Sequence, residues 1–344
     1  MKLLRQRQKE LLGMIVDTYV ETVNPVGSGT IAKRFRKALS PATIRNEMHD
    51  LETREFITHP HTSAGRIPTD KGYRYYVDHL MPEPKISPRE ASFILNEYRK
   101  RMDNMETLIE RTSRILSTLS EQAGFIVFPS FEESVLKRVE ITSLGAHHFV
   151  VVWVTRDGFI QDRVVDMKEE IPEGELARLN TFLNQELSGL LLSDIKPRLS
   201  EKLKTAKDSL RSLYETAVSI VSAGFPGSAQ KKLLIESPGN ILQQPEFQDW
   251  DKSKRLFKIL EAKSLFLDLI ESGEREERVS VHIGVEHQCK DIWDCSLITA
   301  QYFVGDRRLG TLGILGPRRM PYGRVVSLVD YVSRCFGEAL EQWL

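Results

Sequence analysis

Four residues within one short stretch, Thr43, Arg45, Asn46 and His49, carry hydrogen-bonding groups of the kind that read nucleotide edges. An arginine fork fits the acceptor edge of guanine, and an asparagine amide pairs in the same two-point way with adenine. The segment around them is Ser40-Pro41-Ala42-Thr43-Ile44-Arg45-Asn46-Glu47-Met48-His49-Asp50-Leu51-Glu52. Ser40 is a helix N-cap type, and Pro41 suits a first turn, where its missing N–H is not needed. Ile44, Met48 and Leu51 fall at i, i+4 and i+7 and make one apolar stripe, leaving the four polar residues on the other side. The spacing predicts a DNA recognition helix. An ordinary amphipathic helix with a solvated face is the alternative.

Other chemistry finds little support. His282, His287, Cys289 and Cys295 match no CxxC or HxxxH ligand spacing, so no metal site is expected. Gly310-Thr311-Leu312-Gly313-Ile314-Leu315-Gly316 is glycine-rich but lacks a lysine and opens no helix, so it reads as a strand rather than a phosphate loop. There is no nucleophile elbow, and neither a cofactor nor an enzymatic role is predicted. Cys289, Cys295 and Cys335 are too sparse for a disulfide framework and fit reduced thiols. No run of about 18 apolar residues predicts a membrane span, the first residues lack a signal peptide's apolar core, and a cytoplasmic protein is expected.

The elements that would position the polar face are legible on both sides of it. Leu4, Leu11, Leu12, Ile15 and Tyr19 predict a helix over 2–22, broken by Asn24-Pro25-Val26-Gly27. Ser28 is expected to cap a short helix over 28–37 with Ile31, Ala32 and Phe35 inward and Lys33, Arg34, Arg36 and Lys37 outward. A tight link then makes a helix-turn-helix with the Ser40 helix. Residues 56–68 read as two short strands around a polar tip, a wing whose His61, Thr62, Ser63 and Arg66 could reach phosphate or the minor groove; a plain solvent loop is the other reading. Residues 69–80 close the unit as a helix. Residues 1–80 hold 13 Lys and Arg against 9 Asp and Glu, while the whole chain is neutral, so positive charge gathers at the reading end.

Three prolines within 81–88 mark a linker and the first boundary. A long helix is expected from Ser87 to about Ala123, then strands at 139–144, 149–154 and 160–165 with a turn at Arg156-Asp157-Gly158. Helices over about 173–192, 200–224, 245–250 and 252–272 follow, then strands at 279–284, 295–303 and 311–316, and a terminal helix over 322–341. Strands on both sides of a helical block predict one α+β domain with an insertion. Leu176, Leu179, Phe182 and Leu183, with Leu187 and Leu190 to Leu192, serve either the core or a contact between copies.

Pro25-Val26-Gly27-Ser28, Leu39 to Met48, Pro60 to Pro68 and Gly72-Tyr73-Arg74-Tyr75-Tyr76-Val77-Asp78 resemble, in order and spacing, the signature blocks of the HrcA family of bacterial heat-inducible transcription repressors. Ile283-Gly284, Asp294 to Leu297 and Leu309 to Tyr322 resemble its second signature region. The chain departs from that family at Arg54-Glu55-Phe56, where a glycine is usual and would end the helix in a left-handed conformation at low cost. The resemblance implies an α+β chain: a winged helix-turn-helix over 1–80, a linker over 81–88, and a GAF-like domain over 89–166 and 261–344 interrupted by an inserted dimerising domain over 167–260. With it, self-association becomes the favoured role for the leucines of the insert. It further implies a homodimer bound to double-stranded DNA at the CIRCE inverted repeat upstream of groE and dnaK operons, with activity dependent on the GroEL chaperonin. Thr43, Arg45, Asn46 and His49 would then contact bases. Ser28, Thr30, Lys33, Arg34, Arg36, Lys37, Ser40, His61, Thr62 and Arg66 would contact the backbone. A ligand-responsive transcription factor whose GAF-like domain senses a small metabolite is the second reading.

Overall fold

The structure, a computed structural model, describes residues 4–34, 40–60, 65–82, 85–100, 105–128, 131–145, 147–167, 170–225, 231–273 and 277–342. Its N-terminal part contains α1 (Gln6–Thr22), α2 (Ser28–Arg34), α3 (Pro41–Thr53), β1 (Ile57–Thr58), β2 (Ile67–Pro68) and α4 (Asp70–His79). The Ser40 helix forms as its sequence dictates: Ser40 Oγ accepts the Thr43 N–H at 3.1 Å, Pro41 fills the first turn, and Ile44, Met48 and Leu51 are buried. Ser28 is the first residue of α2 rather than its cap, because the carbonyl of Gly27 takes the first helical N–H groups, those of Thr30 and Ile31. Phe35, Arg36, Lys37, His61, Thr62 and Ser63 lie outside the described residues.

The end of α3 explains the departure at Arg54-Glu55-Phe56. Glu55 has φ +62°, its N–H donates to Glu52 O, and the Phe56 N–H donates to Leu51 O. This is the paired bonding of a left-handed helix stop, with glutamate where glycine would be unstrained. The chain turns as the family's glycine would make it turn, at the cost of a strained residue.

The next elements are α5 (Pro88–Arg99), α6 (Met105–Ser120), β3 (Ala123–Phe128), β4 (Leu136–Ser143), β5 (His148–Thr155) and β6 (Ile160–Asp166). They are followed by α7 (Glu173–Leu187), α8 (Leu192–Thr205), α9 (Asp208–Gly224), β7 (Lys232–Glu236), α10 (Gly239–Leu242), α11 (Trp250–Glu261) and α12 (Lys263–Ser272). The chain closes with β8 (Val279–Ile283), β9 (Cys295–Val304), β10 (Arg307–Pro317) and α13 (Tyr322–Glu341). Instead of one helix from Ser87 to Ala123 there are two that fold back on each other. Tyr98 Oη donates to Thr112 Oγ1 at 2.9 Å, whereas a continuous helix would hold residues 14 apart at about 21 Å.

The strands form two larger sheets. Five strands run antiparallel in the order β7-β3-β10-β9-β8, and β4-β5-β6 form a separate sheet of three. Both faces of the larger sheet are covered. Ile126, Ile298, Leu312 and Ile314 pack toward α6 and α13, while Phe125, Val127, Leu297 and Leu315 pack toward α11 and α12. The smaller sheet buries Val139, Ile141, Phe149, Val151 and Trp153 against α7, α8 and α9 in a core of its own.

This partition moves both expected edges of the insertion. The strands at 136–166, assigned with the body, belong to the separate unit, and β7 and nearly all of α11, assigned to the insertion, belong with α12 to the five-stranded sheet and its cover. Sequence patterns mark a strand but not its partner, and pairing decides membership. Leu176, Leu179, Leu183, Leu187 and Leu192 are core residues of this unit, at most 7% exposed, so they are not available to a second copy, whereas Phe182 and Leu190 are half-buried and Leu191 is 40% exposed. The 81–88 linker separates segments without separating cores: one apolar cluster runs from Leu12, Ile15, Ile44 and Tyr73 into Leu312, Val325 and Phe336. No helix among the described residues is long and apolar enough to cross a membrane.

Candidate nucleic-acid interface

Burial of Ile44, Met48 and Leu51 turns the opposite face of α3 outward. Arg45, Asn46 and His49 are exposed there, and among the described residues no side-chain hydrogen bond or ion pair engages them. Thr43 is half-buried, and its hydroxyl lies 2.9 Å from Ser40 Oγ, so it is tied to the cap at the helix start. The structure thus brings three of the four expected base-reading side chains onto one open face and sets Thr43 at its near end. Three adjacent groups with unspent donors and acceptors can make two-point hydrogen bonds to planar edges without first breaking internal ones.

Around that face, Thr30 and Lys33 on α2 are exposed, and Ser28 is half-buried in its first turn. Arg34 is already engaged: it donates to Glu21 Oε2 at 3.1 Å and to Thr18 Oγ1 at 3.0 Å. Both partners of this pair are about half exposed, so the bond is weak and easily exchanged for another anion. Arg66 is held more firmly. Its Nη2 donates to Glu52 Oε2 at 2.8 Å, and its side chain is 25% exposed.

The face is held in place from behind by contacts that composition did not reveal. Asp70, at the start of α4, accepts from Arg318 Nη1 at 2.8 Å and from the Val285 N–H at 2.9 Å. Arg74 donates to both oxygens of Glu286 and to Val281 O. Arg319 donates to Val20 O at 3.1 Å and to Glu246 Oε1 at 2.6 Å. Of these residues Arg74, Arg318 and Arg319 fall in the blocks that carry the family resemblance, whereas Asp70, Glu246, Val285 and Glu286 lie outside them and carried no signal in the sequence.

The histidine and cysteine candidates have structural surroundings. His282 and His287 are buried with ring centroids 6.0 Å apart, Cys295 and Cys335 are buried, and Cys289 is half-buried. Burial, then the neighbouring His282, pulls the His287 imidazole down to about 4, while Glu286 and Asp70 pull it up. The described residues contain no group of three or more His, Cys, Asp or Glu side chains placed to hold a metal ion.

Comparison with known proteins supplies the class. The family model described as the HrcA protein C terminal domain matches residues 106–326. The heat-inducible transcription repressor HrcA of Pelotomaculum thermopropionicum is 38% identical over 99% of this chain and 98% of its own length. Its namesakes from Desulforamulus reducens and Halalkalibacterium halodurans are each 35% identical, over 100% and 96% of this chain and 99% and 96% of their own. A solved structure titled as a hypothetical protein at 2.2 Å resolution shares the fold, with a TM-score of 0.64 at 22% identity over 99% of this chain and 100% of that one. The class is a transcription repressor. The chain belongs to the HrcA family of heat-inducible transcription repressors.

Proposed function

We propose that this protein represses chaperone operons of the groE and dnaK type by binding, as a cytoplasmic homodimer, an inverted-repeat operator of the CIRCE class. Helices α1 to α3 with β1 and β2 act as a winged helix-turn-helix. Helix α3 enters the major groove, Arg45 and Asn46 meet base edges, and Thr43 and His49 flank them. Ser28, Thr30, Lys33, Arg34, Ser40 and, beyond the described residues, Arg36, Lys37, His61 and Thr62 meet the DNA backbone, giving affinity and salt dependence but little sequence choice. The observation that carries this reading is the open face of α3, where Arg45, Asn46 and His49 stand exposed over a fully buried stripe.

The separate three-stranded unit serves as the inserted dimerising domain, with the five-stranded sheet as the GAF-like domain. The edge of β4 is sealed: Asn184 and Asn180 of α7 bond both the N–H and C=O of Val139 and Ile141. Among the described residues strand β6 pairs on one side only, and it exposes Ile160 (68%) and Val164 (56%) beside Val150 and Val154. An open apolar edge invites another strand, and a second copy supplies one through two-fold symmetry. Two-fold symmetry in the protein then calls for an inverted repeat in the DNA.

Heat acts through chaperonin supply. A marginally stable dimer spends more time in non-binding forms on warming, and the GroEL chaperonin, occupied by unfolded clients, restores less of it. A gel-shift titration on inverted-repeat and scrambled duplexes, with and without chaperonin, tests the reading. Preference for the inverted repeat, with more active protein when chaperonin is added, supports it. Equal binding to both duplexes, or indifference to chaperonin, contradicts the corresponding half.

A further inference from the structure

We propose that Glu52 is a positioning residue that sets the wing against the recognition helix, and that Arg66 serves this clamp rather than a phosphate. The inference rests on the DNA-binding reading above. Glu52 lies in the last turn of α3. Its Oε1 accepts from His59 Nδ1 at 2.5 Å and its Oε2 from Arg66 Nη2 at 2.8 Å. His59 directly follows β1 and Arg66 directly precedes β2, so one carboxylate grips both legs of the hairpin where the chain departs toward 61–64 and returns.

The ladder alone is too short to fix the wing. It contains two residue pairs, Ile57↔Pro68 and Thr58↔Ile67, and Pro68 has no N–H to give. Two charge-assisted bonds to a half-buried carboxylate are the stronger restraint. Burial pushes the Glu52 carboxyl up, but His59 and Arg66 together bring it below its ordinary range, so it is charged at neutral pH. The returning leg is pinned from the other side as well. Arg66 and Val26 exchange backbone hydrogen bonds at 2.8 and 2.9 Å, and a Cβ on Gly65 would lie 2.6 Å from the Pro25 and Val26 backbone. Arg66 thus has its backbone on the α1–α2 loop and its guanidinium on α3, which leaves it a joint between elements.

The test uses the full chain and an inverted-repeat duplex, with Glu52→Gln, His59→Ala, Arg66→Ala and Arg45→Ala variants checked for wild-type thermal melting. Glu52→Gln is nearly isosteric and His59 is surface-exposed, so both variants keep the fold. Each weakens operator binding about 5- to 20-fold and erases ethylation interference at the outer phosphates, while major-groove methylation protection persists. The double variant binds no worse than the weaker single, because both cut one clamp. Arg66→Ala leaves the salt slope unchanged, whereas a lost phosphate contact would lower it by about one. Arg45→Ala does the reverse of Glu52→Gln, losing major-groove protection and keeping the outer footprint. An intact outer footprint in both Glu52→Gln and His59→Ala, with the wild type discriminating normally, overturns the clamp alone. A wild type that binds scrambled and inverted-repeat duplexes equally overturns the DNA reading and the clamp with it.

Discussion

Arg74, on α4 of the N-terminal part, grips Glu286 on the body through both carboxylate oxygens, Nε to Oε1 at 2.7 Å and Nη2 to Oε2 at 2.5 Å. The two residues lie 212 positions apart in the chain, and each side chain is about one-quarter exposed. A two-point pair this shielded resists salt better than a surface bridge and fixes an angle as well as a distance. It makes head and body one object, consistent with the apolar core that runs through both.

Arg74→Ala and Glu286→Ala should each lower unfolding free energy by about 2–3 kcal/mol, since removing one partner strands a partly buried charge. The double variant should cost less than the sum of the singles, with a coupling of about 1–2 kcal/mol in a double-mutant cycle by urea unfolding. Strict additivity would mean that the pair does not hold the two parts together.

Gly284→Ala should lower the melting temperature by about 4 °C or more. Its φ is +52°, and an added Cβ would sit 2.1 Å from Asp70 Oδ2, at the point where Asp70 meets Arg318 and the Val285 N–H. Gly239→Ala, at a helical position with open space around it, is the control and should be neutral or slightly stabilising.

Acid should weaken the same junction. His287 binds its proton only near pH 4 in the folded protein, against an ordinary value of 6.5, because burial and then His282 disfavour the charged ring. The unfolded chain therefore takes up the proton first. The contribution is complete above pH 6.5 and is lost as pH falls from 6.5 to 4, up to about 3 kcal/mol. Glu286, held below its usual range because Arg74 outweighs the effect of burial, adds a further loss below pH 4.5. Denaturant midpoints from pH 7.5 to 4 should fall in this window for the wild type and less steeply for His287→Gln.

Glu55→Gly should stabilise the protein by about 0.5–1 kcal/mol, because glutamate at φ +62° carries a left-handed penalty that glycine avoids. The ion pair lost with Lys71 joins two exposed side chains and offsets little of this gain. An unchanged or lower melting temperature would argue against strain at the helix stop.

The Ser40 helix was legible as a helix because every local signal agreed. Ser40 and Pro41 marked its start, three apolar residues marked its buried side, and the remaining polar groups had only the outside to occupy. The body was less legible, for reasons visible in particular strands. Ala123 to Phe128 is buried on both faces, so it shows no alternation and the sequence pattern assigns it no strand. Lys232 to Glu236 is a short edge strand whose pairing with β3 lies more than a hundred residues away in sequence. The strands at 136–166 are marked by alternating or continuous β-branched runs, yet nothing in their pattern says they leave the main sheet. Residues such as Glu52 and Glu286 carry ordinary charges, and only their distance to Arg66 and Arg74 gives them a role.

The account turns on whether the outward face of α3 reads base sequence. Salt-titrated gel shifts of wild type, Arg45→Ala and Lys33→Ala on inverted-repeat and scrambled duplexes measure this directly. Arg45→Ala should remove the preference for the inverted repeat, a loss of about 1–3 kcal/mol per half-site, and leave scrambled-duplex affinity nearly unchanged. Lys33→Ala should weaken both duplexes alike and reduce the salt slope by about one. Equal losses on both duplexes for Arg45→Ala would contradict the recognition-helix assignment.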